Sequence, residues 1–174
     1  MHRERGDFQA ASLDLDRAQE IFSELKNPKD LEITADGRVE LACLMRDRDA
    51  ARGALRVLQG LGGGEEGYGP SKAALLEAKI ALLDPEELSA RRAGNLLERA
   101  AQFFRHSGYL PLLWEAQTLL GRVHLASGET GRAREALLRA MDAHQEIRRT
   151  LPATAQAAYE KKQAVREFEE ACRQ

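Results

Sequence analysis

The sequence predicts an all-α fold, a stack of antiparallel helix pairs wound into an α–α superhelix. Three observations lead there. The chain holds 28 Ala and 25 Leu against only 4 Val, 4 Ile and 5 Thr, and β-branched residues lose rotamer freedom in helices that Ala and Leu do not. Apolar residues recur at threes and fours between glycine and proline breakers, which places them on single helix faces. A triplet of a small residue, a leucine four later and a small or apolar residue three beyond that returns on every second predicted helix.

The first helix is expected from about 7 to 26, with Phe8, Ala11, Leu15, Ala18, Phe22 and Leu25 along one face. Asn27-Pro28-Lys29-Asp30 ends it, and after a short loop a second helix is expected from 37 to 46. The third is expected from 49 to 61, with Asp49 as its N-cap. Six glycines between Gly60 and Gly69 exclude a helix interior there. Ser71 is expected to cap a fourth helix ending near Leu83, and Asp84-Pro85-Glu86-Glu87 to open a fifth that runs to His106. Ser107-Gly108-Tyr109 and Ser127-Gly128 then bracket a sixth helix over 112–126. The seventh covers 130–150, and Leu151-Pro152 introduces an eighth over 153–172.

Length fits one domain spanning 1–174. Charged residues make up 31% of the chain, but the net charge is only −2 with the signs interspersed. No field of the kind that attracts nucleic acid or an anionic membrane surface is therefore expected. No uncharged apolar run reaches membrane-spanning length, and the opening Met-His-Arg-Glu-Arg-Gly-Asp lacks the apolar stretch of a signal peptide. Cys43 and Cys172 are too far apart for a metal or redox motif. Together these read as a cytoplasmic protein with two structural thiols.

The triplets are Ala11-Leu15-Ala18, Ala54-Leu58-Leu61, Ala93-Leu97-Ala100 and Ala133-Leu137-Ala140, their leading alanines 43, 39 and 40 residues apart. Small residues at this spacing let helix backbones approach, and the leucine fills the space between neighbours. The last copy adds Leu120-Gly121 before the triplet and Gly128 at the turn, and with these it resembles the tetratricopeptide repeat, W-x2-L-G-x2-Y then A-x3-F then P. Gln117, His124 and Gln145 stand where the pattern has Trp, Tyr and Pro. Leu41-Ala42 followed by Ala54 and Leu58 fits more loosely, and Ile80-Ala81 falls at the Leu-Gly positions of the third copy. Gly6-Asp7-Phe8 before Ala11 looks like the turn and second helix of a repeat whose first helix is missing, which implies a longer parent array. The repeat-like units are thus about 6–26, 35–61, 71–106 and 112–147, with 153–172 as a C-terminal cap. Periods near 40 resemble the lengthened repeats of bacterial multidomain regulators, and HEAT-like repeats are the rival fold. The Gly121, Gly128 and Ala133 trio favours the tetratricopeptide reading.

No chemistry is expected of this chain. The glycine-rich stretch from Gly62 to Lys72 lacks the strand and the Gly-Lys-Ser/Thr ending of a phosphate loop. The Glu pairs at 65–66, 86–87 and 169–170 read as loop, cap and solvated face. His124 reads as a core histidine at an aromatic position, and no Cys/His cluster indicates zinc. Neither catalytic residue, cofactor nor metal is expected.

The resemblance instead implies a groove lined by first helices that takes a peptide or helix of a protein partner. Its groove-facing positions correspond to Glu115, Thr118, Arg122 and Ala126 in the best copy, and to Asp36, Val39, Cys43 and Asp47 in the earlier one. Phe8 and Phe22, on a helix without its own partner, are expected to form an interface, by self-association or with a neighbouring chain. The alternative functions are a ligand-sensing domain of a bacterial transcription regulator or kinase, and a structural oligomerisation unit.

Overall fold

The computed structural model describes residues 7–61, 67–83 and 90–160, and among these it contains eight α-helices and no strand. They are α1 (Phe8–Glu24), α2 (Pro28–Leu44), α3 (Arg48–Leu61), α4 (Tyr68–Ala81), α5 (Ala90–His106), α6 (Leu110–Ala126), α7 (Thr130–Thr150) and α8 (Ala153–Glu160). The glycine stretch at 62–66, the Asp-Pro-Glu-Glu segment at 84–87 and the cap beyond Glu160 lie outside the described residues. The chain forms two compact units, residues 1–89 and 90–174. In each, helices pack on their neighbours in sequence order: α1 on α2, α2 on α3 and α3 on α4 in the first unit, α5 on α6 and α6 on α7 in the second.

One turn is used four times. After α1, α2, α5 and α6 the chain passes through a left-handed residue, respectively Lys26 (φ 50°), Arg46 (φ 58°), Gly108 (φ 71°) and Gly128 (φ 74°). The next residue returns its N–H to a carbonyl five positions back: Asn27 to Phe22 at 3.0 Å, Asp47 to Ala42 at 2.9 Å, Tyr109 to Phe104 at 2.9 Å and Glu129 to His124 at 2.8 Å. This Schellman closure satisfies the last carbonyls of one helix and leaves the chain pointed back along it. The same residue then begins the following helix. The side chains of Asn27 and Asp47 accept from the N–H groups of Asp30 (3.3 Å) and Ala50 (3.0 Å).

These turns correct the expected boundaries. Pro28 does not merely end α1. It opens α2, because a proline at the first helical position gives up only an N–H that has no intrahelical partner, so there is no loop before residue 37. Asp47, and not Asp49, caps α3. Gly67, and not Ser71, stands at the cap of α4. α6 starts at Leu110, two residues earlier than expected.

They also correct the repeat register. Arg46 and Gly128 occupy the same place in their turns, so Ala51 and not Ala54 is the counterpart of Ala133. Ala51, Leu55 and Leu58 are buried at 0, 7 and 4% exposure, whereas Ala54 is only half-buried. With this shift of three, Ala51 follows Ala11 by 40 residues, as Ala133 follows Ala93. α1–α3 and α5–α7 are then the same three-helix motif, 82 residues apart. Ile80-Ala81 falls in the last turn of α4, so it is not a mid-helix Leu-Gly pair.

A lysine or arginine in the left-handed region carries a steric penalty that glycine avoids. Lys26→Gly and Arg46→Gly should therefore each raise stability by about 1 kcal/mol, read as a higher thermal midpoint. The exposed helical substitution Arg134→Gly should lower it.

Close backbone approach occurs where a glycine faces a leucine of the preceding or following helix. A Cβ on Gly37 of α2 would lie 3.0 Å from Leu15 Cδ2 of α1, and one on Gly121 of α6 would lie 2.8 Å from both Cγ and Cδ2 of Leu137 on α7. Val39, Leu75 and Leu76 are wholly enclosed in the first unit, and Leu97 and Phe104 in the second. Enclosure of each such side chain contributes about 1.5–3 kcal/mol. His124 is a buried core histidine whose Nδ1 lies 2.6 Å from Glu129 Oε2. His144, on α7, is buried between Trp114 and Tyr159 and shares a 3.0 Å hydrogen bond with the tyrosine hydroxyl, which fastens α8. Among the described residues no helix is long and apolar enough to cross a membrane.

Candidate partner-binding face

The corrected register changes which residues of α2 share a stripe with one another. The counterparts of Glu115, Thr118, Arg122 and Ala126 are Ile33, Asp36, Glu40 and Leu44. Their spacing of three and four holds them on one helix face. Of the residues expected there, Asp36 keeps its place. Val39 does not, because it is wholly enclosed in the core beside Ala51, Leu55 and Leu76, where it takes the position of Gly121. Cys43 is partly buried and packed at the margin of that core. Asp47 lies in the turn, where its carboxylate is occupied in capping α3.

On the α2 stripe Ile33 and Leu44 stand 61 and 53% exposed, large aliphatic side chains left in water at its two ends. Between them is a charged network shared with α4. Lys72 is buried, and its Nζ lies 3.4 Å from Asp36 Oδ1 and 3.5 Å from Glu40 Oε1. Lys79 donates to both oxygens of Glu40, at 2.6 and 2.8 Å. Two carboxylates and two ammonium groups thus neutralise one another across adjacent helices. Tyr68, at the first turn of α4, is also exposed. Asp36 Oδ1 is buried without a hydrogen-bond partner among the described residues, its close cation being Lys72 at 3.4 Å. Even so, exposed apolar groups around a charge-balanced centre form a surface that a partner covers without stranding a net charge.

Burial pushes the Asp36 carboxyl above its ordinary value of 3.8; Lys72 opposes this shift, and neighbouring Glu40 adds to it. A carboxyl whose folded pKa is raised opposes folding while ionised, and that penalty disappears as pH falls through the folded pKa toward the unfolded one. Asp36→Asn should therefore be more stable than the natural chain at pH 7. The advantage should shrink as pH is lowered through the carboxylate range, measured as the difference between the two urea midpoints.

In the second unit, Glu115 and Thr118 are half-buried on α6 and Arg122 is exposed. The Thr118 hydroxyl donates to the Trp114 carbonyl at 2.8 Å, so it is spent on its own helix. Phe8 and Phe22 of α1 are each half-buried, not bare, on a helix that packs on the full-length α2. The large exposed apolar residues here are Leu13 and Ile21 on α1 and Leu25 at its C-cap, so Leu25 is not covered as the rest of the expected stripe is. Among the described residues no group of His, Cys, Asp and Glu is placed to hold a metal ion.

Fold and face together define an all-α protein of repeated helix hairpins. The chain matches no family model, no curated protein and no solved structure.

Proposed function

We propose that this chain is a tetratricopeptide-like protein-interaction module, not an enzyme, and that its first unit holds a peptide segment of a partner against α2 and α4. The observation that carries the reading is the α2 stripe: exposed Ile33 and Leu44 flank a charge network already neutralised within the protein. An extended or helical segment with aliphatic anchors spaced to meet Ile33 and Leu44, and with polar groups between them, fits that pattern. Support for the family reading comes from Leu120-Gly121, Gly128 and Ala133 in the second unit, from the shared Schellman turns and from the 40-residue spacing of Ala11 to Ala51 and Ala93 to Ala133. A cytoplasmic regulatory or scaffolding role is consistent with the interspersed charges and the net charge of −2.

Peptides selected from a random library against the full chain provide the test, with affinity followed by fluorescence anisotropy. Ile33→Glu and Leu44→Glu should each weaken the best peptide by about tenfold or more, the loss of one buried aliphatic contact, with no fall in melting temperature because both side chains are exposed. Undiminished affinity in both variants would move the binding site elsewhere. Arg122→Glu is the matching substitution on α6. It should alter affinity only for peptides that engage the second unit.

A further inference from the structure

Each unit has a cleft of about 420 Å³ on its three-helix motif, lined by α1, α2 and α3 in the first and by α5, α6 and α7 in the second. The 82-residue register makes them the same cleft twice, and their linings have diverged. Ala50, Gly53 and Val57 on α3 correspond to Arg132, Glu135 and Arg139 on α7. Ala35 on the floor corresponds to Gln117, which is only 3% exposed and whose Oε1 is buried with no hydrogen-bond partner. Packing alone does not call for this glutamine, since alanine fills the equivalent place in the first unit. A buried acceptor left unpaired costs about 1–3 kcal/mol.

The second cleft also carries Arg105 and Glu98 from α5. Arg139 lies 3.6 Å from Glu135, a loose and exposed pair, and among the described residues no carboxylate lies within ion-pair distance of Arg105. Guanidinium groups are matched to carboxylates by their planar fork of donors. Gln117 Oε1 requires a donor, and Glu98 and Glu135 favour a cationic one. We propose that this cleft binds a small zwitterion, a free amino acid or a dipeptide. Its carboxylate lies on the Arg105–Arg139 rim, and its ammonium or amide N–H points to Gln117 and the two glutamates. The volume lies within the range of small-molecule sites. The proposal is independent of the peptide-binding face, which lies on the first unit.

The test is calorimetry on the full chain with the twenty free amino acids and with dipeptides pooled and then resolved. The expected result is saturable binding of at least one, weakened about tenfold or more both by amidation of its carboxylate and by acetylation of its amine. Arg139→Gln, an exposed substitution, should weaken binding by a similar factor. Gln117→Ala, which installs the residue of the first unit, should abolish the preference for a free amine and raise the melting temperature of the unliganded protein. No saturable binding by any amino acid or dipeptide at millimolar concentration would overturn the proposal. So would binding that is indifferent to Arg139→Gln and Gln117→Ala.

Discussion

Gly121→Leu should be clearly damaging to the second unit, lowering stability by roughly 1–2 kcal/mol. A Cβ alone at this position would meet Leu137 Cγ and Cδ2 at 2.8 Å and the Ala133 carbonyl oxygen at 3.5 Å, so the leucine branch has no room unless α6 and α7 separate. Overpacking of a close core contact costs roughly 1–3 kcal/mol and sometimes more. The gain from replacing a mid-helix glycine offsets at most about 1 kcal/mol. The exposed substitution Arg134→Ala should leave the urea midpoint within error of the natural chain. Because the clash is with one side chain, Gly121→Ala should be partly rescued by Leu137→Ala, and the two changes should be non-additive. Additive losses would mean that the α6–α7 contact is made elsewhere.

Lys72→Met should have a large effect in the first unit. Lys72 is buried between Asp36 and Glu40, and methionine keeps much of its length while removing its charge. Two neighbouring carboxylates are then left with Lys79, which already holds Glu40. Leaving a largely buried carboxylate without its partner costs roughly 1–3 kcal/mol. The loss should be greatest at neutral pH. As pH falls through the carboxylate range Asp36, whose pKa is already raised, takes up a proton and the repulsion with Glu40 fades. A Lys72→Met protein with an unchanged urea midpoint at pH 7 would show that the network contributes nothing to stability.

How far the sequence discloses this fold depends on which residues stand in the turns. Gly108 and Gly128 mark theirs openly, and α7 has the expected limits while α6 differs from expectation only at its start. Lys26 and Arg46 adopt the same left-handed conformation without glycine, and the segments around them are where boundaries and register went astray. The register error is of a particular kind. Apolar spacing of three and four is nearly unchanged by a shift of three residues, so Ala54-Leu58-Leu61 reads as well as Ala51-Leu55-Leu58 until the turn fixes the phase. That shift placed the enclosed Val39 and the capping Asp47 on the binding face and overlooked Ile33, Glu40 and Leu44. The Lys72 and Lys79 contacts had no signal in the sequence, since nothing local says which helix of a later pair returns beside α2. Gln117 was visible only as a departure from an aromatic position. Its significance appears when the 82-residue register sets it against Ala35.

Hydrogen–deuterium exchange on the full chain, with and without its best library-selected peptide, tests the central claim most directly. The account predicts slowed exchange in the backbone of α2 and α4 around Ile33, Glu40, Leu44 and Lys72, with little change in α7. Protection confined to α1 and α3, or to the second unit, would contradict the assignment of the α2–α4 face as the partner-binding surface.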